Sequence, residues 1–187
     1  TKRGLSKSRY KLGHSYERVM PGPNYIDSIR NFPRVYSGCD EESADAVVRI
    51  TADCPLIDGE LVDHVIKTFV NNDLDYCSNR EPATYPDGLD VEVMRFSTLQ
   101  KAHSSTVLPY DREHVTPFII GSSSFKKSYI ENSTDFSMYR WTLDYPEDFE
   151  VIKGVFLKMA PDIHFSWETV LDLEKSNPEI FMQNKDI

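Results

Sequence analysis

The chain is 187 residues long, 40% hydrophobic and 12% aromatic, which is enough for one domain with a real core. Its net charge of −9 is uneven: residues 1–36 carry +6 (eight Lys/Arg, two Asp/Glu) and the rest −15 (thirteen against twenty-eight), so the body is no nucleic-acid groove, which needs clustered Lys and Arg. No apolar run approaches the roughly 20 residues of a membrane span, no signal-peptide pattern opens the chain, and Cys39, Cys54 and Cys77 fit a reduced, cytoplasmic protein rather than a disulfide or zinc framework.

Residues 1–45 show little periodicity. Pro21-Gly22-Pro23-Asn24 is a turn cluster, and Tyr25 to Asn31 has room for one or two helical turns. Val47, Val48 and Ile50 make an apolar, β-branched run that reads as a buried strand ending near Ala52. Asp53 then stands at its carboxyl end, where open α/β sheets bind ligands. A carboxylate there can hold Mg²⁺, with substrate phosphates completing the shell. On spacing alone, an Asp at a strand end is more commonly a turn former. Asp58 caps a helix to about Asn71, with Leu61, Val62, Val65, Ile66, Phe69 and Val70 on its buried stripe. His64 beside that stripe reads as structural, since no second ligand lies four residues away. Leu74 to Cys77 is the next strand, and Glu81 to Gly88 a loop. Leu89 to Met94 alternates apolar and polar, which predicts a strand whose wet face carries Asp90 and Glu92. That pair suits sugar hydroxyls or a metal, and equally an ordinary solvent face. Ser97-x-x-Gln100 is a capping-box pattern. Asp111 to Ile120 reads as one short helix, with Arg112 and His114 as candidate anion contacts. His114 fits a core residue bonded to a carbonyl as well. Lys126 to Glu131 is an edge strand. Tyr139 to Asp144 is a strand that delivers Asp144 to its end. Pro146 opens a helix with Glu147 and Asp148 favourable to the dipole. Ser166 begins a last helical stretch, which Asn177-Pro178 interrupts.

Four runs occur in order: Val47-Val-Arg-Ile-Thr-Ala-Asp-Cys-Pro-Leu-Ile-Asp58, Tyr85-Pro-Asp-Gly-Leu-Asp-Val-Glu-Val93, Arg112-Glu-His-Val-Thr-Pro117 and Arg140-Trp-Thr-Leu-Asp-Tyr-Pro-Glu-Asp-Phe-Glu150. On them, residues 46–156 resemble the cytidylyltransferase-like family of the spore-coat polysaccharide (SpsF) type. The resemblance implies a three-layer α/β/α fold with a mixed sheet, like that of the nucleotide-diphospho-sugar transferases, forming an α/β domain over 46–187. It implies CMP transfer from CTP to a sugar or sugar acid in surface-polysaccharide biosynthesis. It implies Mg²⁺ on Asp53 and Asp144, catalytic roles for Arg112, His114 and Arg140, and substrate contacts from Asp90, Glu92 and Arg49. Arg49 and Arg140, near the strand ends, can reach phosphate or pair with carboxylates. No nucleic acid or membrane is expected as a partner, and a homodimer is a possible assembly.

Residues 1–45 resemble a different family, the nucleotide-sugar dehydrogenases of the UDP-glucose and UDP-N-acetyl-mannosamine type. The matching runs are His14-Ser-Tyr-Glu-Arg-Val-Met-Pro-Gly22, Pro33-Arg-Val-Tyr-Ser-Gly38 and Glu41-Glu-Ser-Ala44. That family's Glu at the sugar-nucleotide site corresponds to Glu17, which also fits a solvated carboxylate. No Gly-x-Gly-x-x-Gly occurs, so these residues alone do not build a hydride-transfer site. Cytidylyltransferases of this type open with a strand and a Gly/Arg/Lys-rich loop around the nucleotide. Residues 1–16 do not reproduce it, which predicts weak CTP binding by this chain alone. The competing expectations are a dehydrogenase fragment and a non-catalytic binding or assembly subunit.

Overall fold

The computed structural model describes residues 45–185 and 187. The dehydrogenase-like stretch with Glu17, the turns at Tyr25 to Asn31, and Cys39 lie outside the described residues. The chain divides into two compact units, and Ala46–Arg95 with Ser124–Ile187 form the larger one. Phe96–Ser123 belong to the other, so the stretch from 46 onward is interrupted by them.

The larger unit is built on an open, mixed four-stranded sheet. Its strands are β1 (Ala46–Arg49), β2 (Tyr76–Ser78), β3 (Glu92–Arg95) and β4 (Lys127–Tyr129), in the order β1-β3-β2-β4. β3 runs antiparallel to β1 and β2, while β4 is parallel to β2. The carboxyl ends of β1, β2 and β4 therefore share one edge with the amino end of β3. At that edge Arg49 pairs with Glu92, Glu92 with Ser78, and Ser78 with Tyr129. β4 lies at the sheet edge as expected, and β1 stops at Arg49, earlier than its apolar run suggests.

Helix α1 (Gly59–Asn71) crosses β2 and β3. Its start is fixed by Asp58, whose Oδ1 accepts the Glu60 and Leu61 amides at 2.6 and 3.1 Å. The other carboxylate oxygen accepts the Trp167 amide at 2.8 Å and so ties α1 to the start of the helix that begins at Trp167. Leu61, Val62, Val65 and Phe69 are buried, whereas Val70 and His64 are exposed. Helix α5 (Pro146–Met159) carries Pro at its first turn, where the missing N–H has no role, and buries Val151, Ile152 and Val155. Helix α6 (Trp167–Ser176) starts at Ser166, and a 3₁₀ helix (Pro178–Asn184) follows. These helices, Cys77 and Val93 of the sheet, and the fully buried Trp141 make one apolar core. Among the described residues no helix is long and apolar enough to cross a membrane.

Two expectations are corrected here. Tyr139 to Asp144 does not form a regular strand: the segment holds a single parallel bridge, Asp87 to Arg140. It is pinned on both sides instead, by the Trp141 amide on the Asp87 carbonyl (2.7 Å) and the Leu143 amide on the Asp53 carbonyl (2.9 Å). The close fit requires Gly88. Its φ is +102°, and a Cβ there would stand 2.6 Å from the Thr142 nitrogen and the Trp141 carbonyl carbon. Asp111 to Ile120 is two helices, not one. In the smaller unit α2 (Phe96–Ser105) is followed by α3 (Pro109–His114) and α4 (Pro117–Gly121). Val115 breaks the run with a left-handed φ of 71°, and Pro117 restarts it.

Candidate functional site

The edge that gathers the strand ends also gathers the acidic side chains. The Asp53 carbonyl accepts both the Leu143 amide and the Thr142 hydroxyl (3.2 Å). Asp53 and Asp144, 91 positions apart in sequence, are thereby carried on adjoining backbone. Asp87 senses both charges. Burial raises its carboxyl above the usual range, Arg140 lowers it, and Asp144 and Asp53 raise it again.

Arg140 stands at the centre. Its Nε and Nη2 donate to the two oxygens of Asp148 at 3.0 and 2.8 Å. Nη2 also reaches Asp144 at 3.1 Å, and Nη1 reaches Asp87 at 3.4 Å. Asp148 is fully buried. It accepts in addition the Asp144 and Tyr145 amides, both at 3.0 Å, and the Asn184 amide group at 2.8 Å. Burial opposes its ionisation, yet these donors hold its carboxyl well below the usual carboxylate range. The dipole role expected for Asp148 is therefore the smaller part of what it does.

Asp90 and Glu92 do not share a wet face. Glu92 is 1% exposed. Its Oε1 accepts the Tyr76 hydroxyl at 2.6 Å, and its Oε2 pairs with Arg49. Burial first, then the Glu92 charge, push the Tyr76 phenol far above its ordinary value. Alternation marks Glu92 as polar, but only its partners from β1 and β2 reveal that it is interior. Glu92 and Arg49 thus satisfy each other inside the sheet, and neither presents a free charge to a ligand. Asp90 is partly exposed and pairs with Arg80 at 2.8 Å. Burial works to lower the Arg80 pKa, but Asp90 and Glu92 outweigh it and raise it. For Asp90 burial dominates and raises the carboxyl, against Arg80.

A cleft of about 310 Å³ opens at this place, lined by Asn79, Arg80, Ala83, Tyr85, Asp87, Asp90 and Ser137. Its volume lies at the lower end for small-molecule sites. Asn79 fixes one wall: its amide donates to the Leu89 carbonyl and accepts the Val91 amide, both at 2.8 Å. Sequence reasoning passed over Asn79, Arg80, Tyr85 and Asp87. A usable signal existed for each: Asn79 and Arg80 follow the carboxyl end of β2 as Asp53 follows β1, and Tyr85 and Asp87 stand in the run from Tyr85 to Val93 that carries the resemblance.

Arg112 and His114 lie on α3, in the smaller unit. His114 is exposed, not a core residue, and its ring lies 4.4 Å from that of Tyr110. Cys54 and Cys77 are buried free thiols, which burial pushes up to about 12 and about 11.

The donor chemistry fits Mg²⁺. Among the described residues, Asp53, Asp87, Asp90 and Asp144 gather near the cleft beside two guanidinium groups, Arg80 and Arg140. Such a surplus of hard oxygen donors suits a hard cation. The Asp53 carboxylate accepts a weak contact from the Cys54 thiol at 3.6 Å. Among the described residues no group of three or more His, Cys, Asp or Glu side chains is arranged to hold a metal by itself. Mg²⁺ commonly takes one or two carboxylates and completes its shell with water and phosphate.

Comparison with known proteins shows the family. An uncharacterized protein of Methanocaldococcus jannaschii is 32% identical over 165 residues, which is 87% of this chain and 64% of that protein. The spore coat polysaccharide biosynthesis protein SpsF of Bacillus subtilis is 27% identical over 166 residues, covering 78% of this chain and 66% of that protein. The solved structure of a cytidylyltransferase from Leptospira borgpetersenii serovar Hardjo-bovis superposes with a TM-score of 0.79 at 32% identity, over 84% of this chain and 67% of that one. The chain thus spans just under two thirds of the two curated relatives. A family model described as Cytidylyltransferase matches residues 27–187, beginning inside the stretch that carries the dehydrogenase resemblance. On that match the chain belongs to the cytidylyltransferase family.

Proposed function

We propose that the protein transfers a CMP group from CTP to a sugar or sugar acid, in the cytoplasm, for surface-polysaccharide biosynthesis. The observation that supports the reading is the pinning of the Asp144 segment onto the Asp53 carbonyl, with Asp87 of the cleft wall sensing both charges. Family membership supports the chemistry, and the SpsF likeness supports the pathway.

In this reading an acceptor hydroxyl oxygen bonds to the α-phosphorus of CTP. The bond to the bridging oxygen breaks, pyrophosphate leaves, and the hydroxyl proton is released. Such a transfer asks for positioning and charge neutralisation rather than covalent work by the protein. Asp53 and Asp144 would hold Mg²⁺, which when bound neutralises phosphate charge. The cleft walls, Asp87, Asp90 and Tyr85, would take acceptor hydroxyls. Arg112 and His114 are the proposed contacts to anionic groups. Arg49 and Glu92 hold the sheet edge from within.

The test is pyrophosphate release by the complete protein with Mg²⁺, each nucleoside triphosphate in turn, and a panel of sugars and sugar acids. The expected result is CTP-dependent release with at least one acceptor. CTP-independent behaviour across the panel, with no CTP binding by calorimetry, refutes it and leaves the binding or assembly role.

A further inference from the structure

The strongest polar assembly among the described residues is the one around Asp148, and no group in it faces the cleft directly. Asp148 takes five hydrogen bonds: two from Arg140, two from the amides of Asp144 and Tyr145, and one from Asn184. Asn184 ends the 3₁₀ helix, 36 residues further on, and is itself buried. Its amide group also donates to the Arg140 carbonyl at 3.1 Å. Asn184 thus grips both ends of the segment that reaches Asp144: the backbone at Arg140 and, through Asp148, the amide at Asp144. From the same frame Arg140 touches the Asp144 carboxylate on one side and the Asp87 carboxylate on the other.

We infer that Asn184, Asp148 and Arg140 form a clamp that positions the Asp144 carboxylate for a divalent cation, so that the 3₁₀ helix carrying Asn184 sets the affinity of the metal site. The inference rests on the transferase reading above. It makes Arg140, for which the resemblance implies a catalytic role, a positioning residue. A guanidinium already spread over three carboxylates is a poor phosphate fork, but a good spacer between them. Outer partners that orient metal-binding carboxylates typically change metal affinity or activity about 10- to 100-fold when removed.

The test is Mn²⁺ binding to the complete protein without CTP, read by paramagnetic relaxation of solvent protons. Thermal unfolding is measured alongside. Asn184→Ala and Arg140→Lys are compared with the parent, the second variant keeping the charge while losing the fork. The expected result is a roughly 10-fold weaker Mn²⁺ affinity for both folded variants. Arg140→Gln should be no better than Arg140→Lys. Unchanged nucleotide-free Mn²⁺ affinity in either folded variant overturns the clamp while leaving the transferase reading intact. An Arg140 that served only phosphate would give that result. A parent protein that neither binds Mn²⁺ nor releases pyrophosphate from CTP overturns both. If Asn184→Ala does not fold, Arg140→Lys decides alone.

Discussion

Two sides of one arginine behave in opposite ways. Towards the core, Arg140 meets Asp148, which is fully buried and bonded on both oxygens. Towards solvent it meets Asp87 and Asp144, about half exposed, through single contacts of 3.4 and 3.1 Å. The carboxyl pKa follows: Asp148 is pushed down by its donors against the pull of burial, whereas Asp87 is pushed up by burial and by Asp144 and Asp53 against Arg140. The same residue type thus serves as scaffold on one side and as unneutralised charge on the other. Saturated hydrogen bonding fixes a backbone, while unmet negative charge at a cleft leaves room for a cation.

The largest effect separating the two sides should be on stability. Asp148→Ala leaves Arg140 without its buried partner and orphans the Asp144 and Tyr145 amides. We expect a loss of about 3–5 kcal/mol, as for other broken buried pairs, against less than about 1 kcal/mol for Asp87→Ala. Urea unfolding of the two variants measures this, and equal losses would erase the distinction between the sides. Asp53→Asn should do the reverse. Stability stays within about 0.5 kcal/mol, while CTP-dependent pyrophosphate release falls on the order of 100-fold, the usual cost of one electrostatic stabiliser. Gly88→Ala tests the pin between them. Its left-handed φ and the 2.6 Å approach of Thr142 and Trp141 predict a loss of about 1–3 kcal/mol together with weaker metal binding.

Much of the scaffold is legible in the sequence and much of the charged site is not. α1, α5 and α6 announce themselves through helical spacing and local caps, Asp58, Pro146 and Ser166. The motifs single out Asp53 and Asp144, which the fold carries on adjoining backbone. What fails is whatever depends on distant partners. Alternation at 89–94 marks Glu92 as polar, but its burial follows from Arg49, 43 residues away, and Tyr76. The run at 139–144 looks like a strand, yet its neighbours are single residues of two loops, Asp53 and Asp87. Asp148 reads as a helix-start acid because its decisive partner, Asn184, lies on another element. Local physics writes the helices into neighbouring residues, whereas charge pairing across a sheet edge leaves no periodic trace.

The smallest and most specific contrast concerns pH. Asp148 has a folded pKa below its unfolded value of about 3.9. Its contribution to stability is therefore complete above about pH 4 and is lost as pH falls through the folded value. Asp87 and Asp90 have folded values raised above the same reference. They favour the folded state when protonated, and that advantage fades as pH rises from about 4 through their folded values. The two groups should therefore tilt the stability curve in opposite directions on either side of about pH 4. Asp148→Asn should flatten the acid limb, and Asp87→Asn the gentle decline above it. Unfolding free energies from urea titrations between about pH 3 and pH 7 resolve the two limbs. If Asp87→Asn steepens the decline towards neutral pH, the Asp87 carboxylate is stabilised rather than strained by its neighbours. Millimolar Mg²⁺ should weaken the same decline in the parent protein, because a cation held by Asp53 and Asp144 would offset the two charges that raise the Asp87 carboxyl.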